Sequence, residues 1–265
     1  MKYYLLKLYD SCSGVGRWAF LFGQTFSASF KRLPSWSLLL DQFYQVGVLS
    51  LPVVAITGFS TGLVLAAQAF YQLGDKGLAS ATGLLVGKGM LTEIGPVLTA
   101  FMVTGRVGSA MTAMIGTMKV TEQIDALQSL AVNPLRYLIG PRVISGIIML
   151  PALTVFSAVL GIFGGYLISI NVFGMTPDSY FDPMPVHITS FDFWTGITKA
   201  FVFGFLISTI SCYKGLRTHG GAAGVGKATT SSVVICYSYI LIINFVLTIG
   251  LNSLHISLVE NFGWR

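Results

Sequence analysis

The sequence predicts an all-α integral membrane protein, and its composition and charge spacing carry that prediction. Hydrophobic residues make up 54% of the 265 residues and charged residues only 10%, against roughly 25% charged in an average soluble domain. Asp, Glu, Lys and Arg are absent from 43–74, 143–177 and 228–259, and each run exceeds the ~20 apolar residues that cross a bilayer. These observations exclude a soluble enzyme.

Five membrane-spanning helices are predicted from these runs and from two less apolar stretches. The fourth carries Lys199 near one end, where a long side chain is expected to extend to the membrane interface. The second span is predicted to lie centrally, because small residues spaced four apart let helices approach closely in lipid. They form two rows: Gly105, Ser109, Ala113 and Thr117, and Gly108, Thr112 and Gly116. The predicted spans cover about 45–70, 94–118, 143–172, 195–213 and 230–254.

A shorter amphipathic helix is predicted before the first span. The 13 uncharged residues between Arg17 and Lys31 are too few to cross a hydrocarbon core ~30 Å thick. Trp18 and three phenylalanines share one helical face and polar residues the opposite face, which is typical of a helix lying in the membrane interface. A buried aromatic stripe gives the same pattern. Pro34 ends this helix.

The distribution of basic residues predicts the orientation. Of the 16 Lys and Arg residues, 11 precede the first span or lie in the second-to-third and fourth-to-fifth connections. By the positive-inside rule the N-terminus is therefore cytoplasmic and the C-terminus, after an odd number of spans, is outside. The formal charge of +6 does not indicate nucleic-acid binding, because the basic residues form no stripe with interleaved aromatics.

The sequence carries none of the common catalytic or metal-binding motifs. The glycine-rich segment 220–230 lacks the spacing of a phosphate-binding loop, because Ala228 follows Lys227 where Ser or Thr is required. The three cysteines share no close spacing with one another or with a histidine, so no metal site is predicted. We therefore expect no cofactor in this chain.

Two charged residues of the second span are candidates for a polar transport path. Arg106 lies midway along it, at a cost of roughly 2.5–3.5 kcal/mol on insertion scales, and needs a partner or water. Bonding to carbonyls at a helix break explains Arg106 as well as a polar path or a subunit contact does. Glu93, just before Gly95 and Pro96, is either a helix cap stabilised by the helix dipole or a site group.

The connection between Lys119 and Pro141 is predicted to contain a short amphipathic cytoplasmic helix. Apolar residues, Leu127 among them, fall on one side and acidic residues on the other, until Asn133 and Pro134 end the helix. Such a helix is what an ABC permease inserts into a groove of its ATPase. A helix that merely rests on the membrane has the same pattern.

Three separated segments resemble the MlaE (YrbE) permeases, the membrane subunits of ABC systems that work with MCE-domain lipid-binding proteins. They are YQVGVLSLP, LTEIGPVLTAFMVTGRVGSAMTAMIGTMKVTEQIDALQSLAVNPLRYLIGPRVI and GVGKATTSSVV, in the family's order. The resemblance covers about 42–255. It implies an N-terminal interfacial helix region over 1–41 and a five-span permease domain over 42–255, followed here by a short tail over 256–265.

The resemblance also implies a function and a set of partners. The chain would be a permease that moves phospholipid or a related lipid between the inner membrane and an MCE-domain lipid carrier. It would perform no covalent chemistry, because ATP is bound by a separate ABC ATPase. The implied location is the bacterial inner (cytoplasmic) membrane. A second copy of the chain, forming a homodimer, and a small cytoplasmic STAS-like subunit are the other implied partners.

Matched positions assign candidate site residues. Glu93 and Arg106 correspond to the polar groups of the second span, and Lys199 to the basic group at the outer end of the fourth. The segment Glu122–Pro134 corresponds to the coupling helix, with candidate ATPase contacts at Glu122, Ile124, Asp125, Leu127 and Leu130. Thr92 and Met114 depart from the family, which often has Arg and Glu there. The missing carboxylate at 114 leaves Arg106 without its same-helix partner.

A lipid site is expected between the outer halves of the first and second spans, near the dimer axis. Acyl chains need an apolar lining with few polar groups. Plain packing of the bundle explains the same residues equally well. The expected lining is Leu63, Ala67, Phe70, Tyr71, Val97, Leu98 and Phe101.

Two other classes of function fit parts of the pattern. A stand-alone secondary transporter or channel often shows internal repeats and broken helices, whereas no repeat is evident in this sequence. A structural membrane scaffold would not need the cytoplasmic amphipathic helix, and co-purification of an ATPase would count against it.

Overall fold

The computed structural model describes residues 36–262 as a set of packed α-helices, with no strand in that part of the chain. Five helical segments are long and apolar enough to cross a membrane, which confirms the predicted fold class. They are Trp36–Gly74, Ala81–Val120, Leu135–Asn171, Ser190–Leu216 and Gly221–Ser257. The helix predicted before the first span lies outside the described residues.

Most of the spans are built from more than one helical segment. The first consists of α1 (Trp36–Val46), a 3-10 turn (Val48–Ser50) and α2 (Leu51–Gly74). The second consists of α3 (Ala81–Gly89), α4 (Gly95–Val103) and α5 (Ser109–Val120), joined by π-helical turns at Met90–Ile94 and Thr104–Gly108. A third π turn (Leu135–Ile139) leads into α7 (Gly140–Asn171).

The fourth and fifth spans are α10 (Ser190–Leu216) and α11 (Gly221–Phe262). Three short helices lie in the connections: α6 (Gln123–Ser129), α8 (Pro177–Phe181) and α9 (Pro183–His187). The last helix continues to Phe262, past the expected end of the permease domain at 255.

The helices begin earlier than the apolar runs predict. The first span starts at Trp36 and not near 45, and the second at Ala81 and not near 94. A hydropathy pattern does not include these helix starts in the spans, because each contains a charged residue. Asp41 lies in α1 and Lys88 in α3. Tertiary contacts, which the pattern does not report, hold both segments in helical form.

Both π turns of the second span contain a charged residue. Glu93 lies in the Met90–Ile94 turn and Arg106 in the Thr104–Gly108 turn. A π turn places one additional residue in a helical turn and is frequent at functional sites. The interpretation of Glu93 as an N-terminal cap is wrong, because the span begins well before it, at Ala81.

The first and third spans approach closely through glycines. A Cβ added at Gly62 would overlap the Gly161 backbone, and a Cβ added at Gly58 would lie 2.7 Å from the Ser157 carbonyl oxygen. Because lipid tails are as apolar as leucine side chains, close backbone packing of this kind is a main source of helix association in membranes.

One of the two small-residue rows of the second span packs against the fourth and fifth spans. The Thr112 hydroxyl lies 3.1 Å from the Ser211 carbonyl oxygen and 3.0 Å from the Ser232 hydroxyl. In the parallel row Gly105 and Thr117 are exposed. The second span contacts all four other spans, which confirms its predicted central position.

Tyr180 anchors the connection between the third and fourth spans. Its side chain is buried, and its hydroxyl donates to the Ile162 carbonyl at 3.1 Å. The fourth span then begins with a capping box, in which Thr189 and Asp192 bond to each other's backbone amides. Lys88 reaches Asp192 at 3.4 Å and ties this helix start to the second span.

We expect Gly62→Ala to lower the unfolding temperature of the protein in detergent. The added Cβ would overlap the Gly161 backbone, and overpacking of this kind costs about 1–3 kcal/mol. Gly226→Ala is the matched control, because a Cβ at that helical glycine meets nothing within 4 Å. Thermal unfolding of the two variants and the wild type measures the difference. Equal unfolding temperatures would contradict the close contact.

Candidate functional site

A polar cluster centred on Lys199 joins the second, fourth and fifth spans. The Lys199 ammonium lies 2.5 Å from Glu93 Oε1 and donates to the Thr92 carbonyl at 3.2 Å and to the Thr248 hydroxyl at 2.9 Å. These contacts use all three of its donors. The Lys199 side chain is 0% exposed, so it does not extend to the membrane interface as the sequence analysis expected.

The fifth span supplies two members of this cluster that the sequence did not predict. Asn244 Nδ2 donates to Glu93 Oε2 at 3.2 Å, and Thr248 Oγ1 lies 3.0 Å from Glu93 Oε1. Residues four apart share one face of a helix, so both side chains of α11 point to the same carboxylate. Two polar residues at this spacing in an apolar run are a signal, but nothing in the sequence connects them to Glu93.

Proline chemistry explains why the Thr92 carbonyl is free to accept from Lys199. In an α-helix that carbonyl would accept from the amide of Pro96, which has no N–H. The Lys199 ammonium donates to this carbonyl instead, at 3.2 Å. Close approach of the fourth span brings the ammonium there, since a Cβ at Gly196 would overlap the Leu91 carbonyl.

The two charged side chains, Glu93 and Lys199, differ in their exposure to solvent. The Glu93 side chain is 37% exposed, whereas Lys199 is fully buried. An ionised side chain in a membrane span is stable only with a partner or water. Glu93 is the charged partner of the buried Lys199. The exposed part of the Glu93 carboxylate can still accept a hydrogen bond from a polar group that passes it.

Arg106 belongs to a different polar site, 13 residues further along the second span and therefore about 20 Å away along the helix axis. Its Nη1 donates to the Gln45 carbonyl at 2.9 Å and to the Ser50 hydroxyl at 2.8 Å. These two residues flank the junction between α1 and α2. The structure thus brings Glu93 and Lys199 together and places Arg106 where it bonds to a carbonyl at a helix break.

The expected lipid lining divides into two groups. Phe70 stacks on Phe173, which lies just after the third span, with ring centroids 4.1 Å apart, and Tyr71 packs edge-on against the same ring. Phe101 packs against Tyr237 of the fifth span, with centroids 4.9 Å apart. The remaining members are half-buried: Leu63, Ala67, Val97 and Leu98. Part of the expected lining therefore packs the bundle, while the exposed Tyr71 is the member most accessible to lipid.

Helix α6 packs on the bundle through its apolar face. Ile124 is buried, and Leu127 is half-buried against the same cluster, which is formed by residues of the second, third and fourth spans such as Ile115, Leu138 and Cys212. The face that was expected to enter an ATPase groove is therefore covered by the chain itself. An amphipathic pattern identifies the apolar side of a helix but not the surface that covers it.

The remaining candidates of the coupling segment are exposed. Glu122 and Asp125 face solvent, and Asp125 accepts a hydrogen bond from Lys119 at 2.9 Å. Leu130, just after α6, is 74% exposed. The apolar surface that α6 offers to a partner is therefore at its C-terminal end.

We expect Lys199→Met and Glu93→Gln to be strongly non-additive. Lys199→Met leaves a carboxylate without its cation, and Glu93→Gln removes that penalty, so the double variant should be more stable than the sum of the single effects predicts by about 1–2 kcal/mol. Thermal unfolding of the four proteins in detergent measures this coupling.

A control for this cycle is Lys88→Met, which removes an exposed partner of Asp192 and is expected to change stability by less than about 1 kcal/mol. Strictly additive effects of the Glu93 and Lys199 variants would contradict the pairing.

Comparison with known proteins shows one family. The family described as Permease MlaE matches residues 39–250, which include the Lys199 cluster, Arg106 and α6. A probable ABC transporter permease protein of Rickettsia bellii is 42% identical over 213 residues, which is 80% of this chain and 82% of the relative.

Two further relatives agree with that match. A probable ABC transporter permease protein of a Synechocystis species is 38% identical over 229 residues, covering 86% of this chain and 87% of the relative. The intermembrane phospholipid transport system permease protein MlaE of Haemophilus influenzae is 36% identical over 212 residues, covering 80% of this chain and 81% of the relative.

Proposed function

We propose that this chain, which belongs to the MlaE permease family, is the membrane subunit of an ABC transporter that moves phospholipid or a related lipid. The observation that carries the proposal is the family match over residues 39–250, which extends into all five helices long enough to span a membrane. Phospholipid is the class named for the Haemophilus relative, and we transfer it to this chain.

In this proposal Glu93 and Lys199 act as one unit of the transport path. The buried Lys199 fixes the position of the carboxylate, and the partly exposed Glu93 is the group that a lipid headgroup would meet. Tyr71 and the half-buried Leu63, Ala67 and Leu98 supply the apolar surface for acyl chains. Arg106 holds the junction of α1 and α2 and contributes to a separate site.

A separate ABC ATPase binds ATP and docks at the exposed end of α6. Leu130 supplies an apolar anchor, while Glu122 and Asp125 can meet basic side chains of the ATPase. Because Ile124 and Leu127 attach α6 to the bundle, movement of the docked ATPase would pass directly to the spans that contact them.

The remaining partners and the location follow from the family resemblance. We propose a homodimer, an MCE-domain lipid carrier and a small cytoplasmic STAS-like subunit, in the bacterial inner membrane. The fifth span exposes Leu241, Phe245 and Ile249, which recur every four residues and offer one apolar face to lipid or to the second copy. The N-terminus and α6 face the cytoplasm, and the connection containing Tyr180 faces the periplasm.

We expect Leu130→Asp to release the ATPase without destabilising the permease. The side chain is 74% exposed, so the new carboxylate stays in water in the free permease but would be buried when the ATPase docks. Leu127→Asp places a carboxylate against the bundle itself and should lower the unfolding temperature. The ATPase that co-purifies per permease chain, together with thermal unfolding, separates the two effects.

Leu78→Asp is the matched control for Leu130→Asp, because Leu78 is also exposed but lies in the connection between the first and second spans. It should retain the ATPase. Full ATPase retention by Leu130→Asp would refute docking at this end of α6.

We expect single cysteines on opposite connections to be labelled from opposite sides of the membrane. In a chain whose native cysteines are replaced by alanine, Asp182→Cys should react with an impermeant maleimide on intact spheroplasts. His219→Cys should react only after permeabilisation, and both positions are exposed in the structure. The reverse labelling pattern would refute the proposed orientation.

A further inference from the structure

A cavity of about 310 Å³ lies between the first, second and third spans, at the α6 end of the bundle. Its polar lining comes from Asp41, Gln42, Gln45, Arg106 and Arg142. Apolar residues of the first and second spans complete the wall. No residue of the Lys199 cluster lines this cavity, so it is a site distinct from the one proposed above.

Arg142 is the feature that indicates a ligand. The residue is only 5% exposed, and its Nη1 is buried without a hydrogen-bond partner in the part of the chain that the structure describes. Its Nη2 lies 2.9 Å from the sulfur of Met114, a weak acceptor. A buried guanidinium with an unpaired donor is costly, and an anion in the cavity that it lines would remove that cost.

The rest of the lining also favours an anion. Arg106 adds a second guanidinium to the wall, and among the described residues of the lining Asp41 is the one carboxylate. Among the described residues neither arginine has a carboxylate within ion-pair distance, since the ion pairs formed there involve lysines. The described part of the lining, with two arginines and one aspartate, therefore carries a net positive charge.

We propose that this cavity binds the phosphate of a phospholipid headgroup, with Arg142 as the principal donor. The planar guanidinium matches a phosphate group in a two-bond geometry. The volume is at the small end of ligand sites, so it suits a headgroup and leaves the acyl chains outside. Tyr44 and Met114, which line the cavity, are exposed and can contact those chains.

The proposed orientation assigns this site to the cytoplasmic leaflet. The site itself does not depend on that orientation or on the ATPase. The cavity lies at the opposite end of the bundle from the Lys199 cluster. A transported lipid would then have one binding site in each leaflet.

Lipid retention by the purified full-length chain tests the site. The delipidated protein in mild detergent is incubated with dioleoyl phosphatidylglycerol, and native mass spectrometry counts the bound lipid. We expect Arg142→Gln to retain about tenfold less lipid than the wild type. Arg142→Lys, which keeps the charge, should give an intermediate value. Arg136→Gln should match the wild type, because Arg136 is close in the chain but does not line the cavity.

Two further probes separate the sources of the phosphate. Dioleoylglycerol, which lacks the phosphate, should not be retained in an Arg142-dependent way. Inorganic phosphate at millimolar concentration should not displace the phosphatidylglycerol. Displacement would support an anion site but overturn its assignment to a lipid headgroup.

Photo-crosslinking at two tyrosine positions tests the site even if Arg142→Gln fails to fold. A benzophenone side chain at Tyr44, a cavity residue, should capture phosphatidylglycerol in the otherwise unchanged protein. The same substitution at Tyr137, which is exposed but does not line the cavity, should capture much less. Equal capture at both positions, or equal lipid retention by a folded Arg142→Gln, would overturn the proposal.

Discussion

A hydrocarbon environment offers no partner to a buried polar or ionised group, and this constraint decides how the spans are joined. Glu93 gives the buried Lys199 a counter-ion, and Lys199 in turn donates to the carbonyl of Thr92, whose α-helical partner would be the missing amide of Pro96. The Lys199 ammonium thus has two partners in the second span. It pairs with the Glu93 carboxylate, and it donates to a carbonyl near Pro96, which has no amide N–H. Thr248 and Asn244 extend the same compensation to the fifth span.

Close backbone contact supplies the remaining cohesion. Where Gly62 meets Gly161, and where Gly204 meets the Gly146 carbonyl, two helices approach to a distance that any Cβ would prevent. The third span takes part in both contacts, so the first and fourth spans hold their positions relative to it. The polar cluster then fixes the fifth span, which has the smallest share of buried residues among the five described spans.

The sequence predicts the five spans because charge spacing along the chain is a local property. It misses the starts of the first and second spans, since Asp41 and Lys88 look like parts of loops until their tertiary neighbours are known. Glu93 and Lys199 can be recognised individually as charges in an apolar context. Their pairing cannot be recognised, because they are 106 residues apart and no periodicity relates one helix face to another.

The prediction for α6 is limited in the same way, because a local pattern does not identify tertiary neighbours. The pattern correctly separates an apolar face containing Ile124 and Leu127 from a polar one. It does not show that the bundle itself covers that face and leaves Leu130 exposed. Arg142 gave no signal at all, because a basic residue at the start of a span is an ordinary feature of membrane proteins.

The π turns of the second span have a consequence for its rotational phase. Each residue of an α-helix advances the side-chain direction by about 100°, and a π turn contains one residue more than an α turn. Deleting one residue from Met90–Ile94 would restore the α-helical phase and rotate α3 by about 100° relative to α4. Gly83 would then no longer face Tyr180, although every remaining side chain would be the same. A deletion within either π turn would therefore change which faces of α3, α4 and α5 meet the other spans.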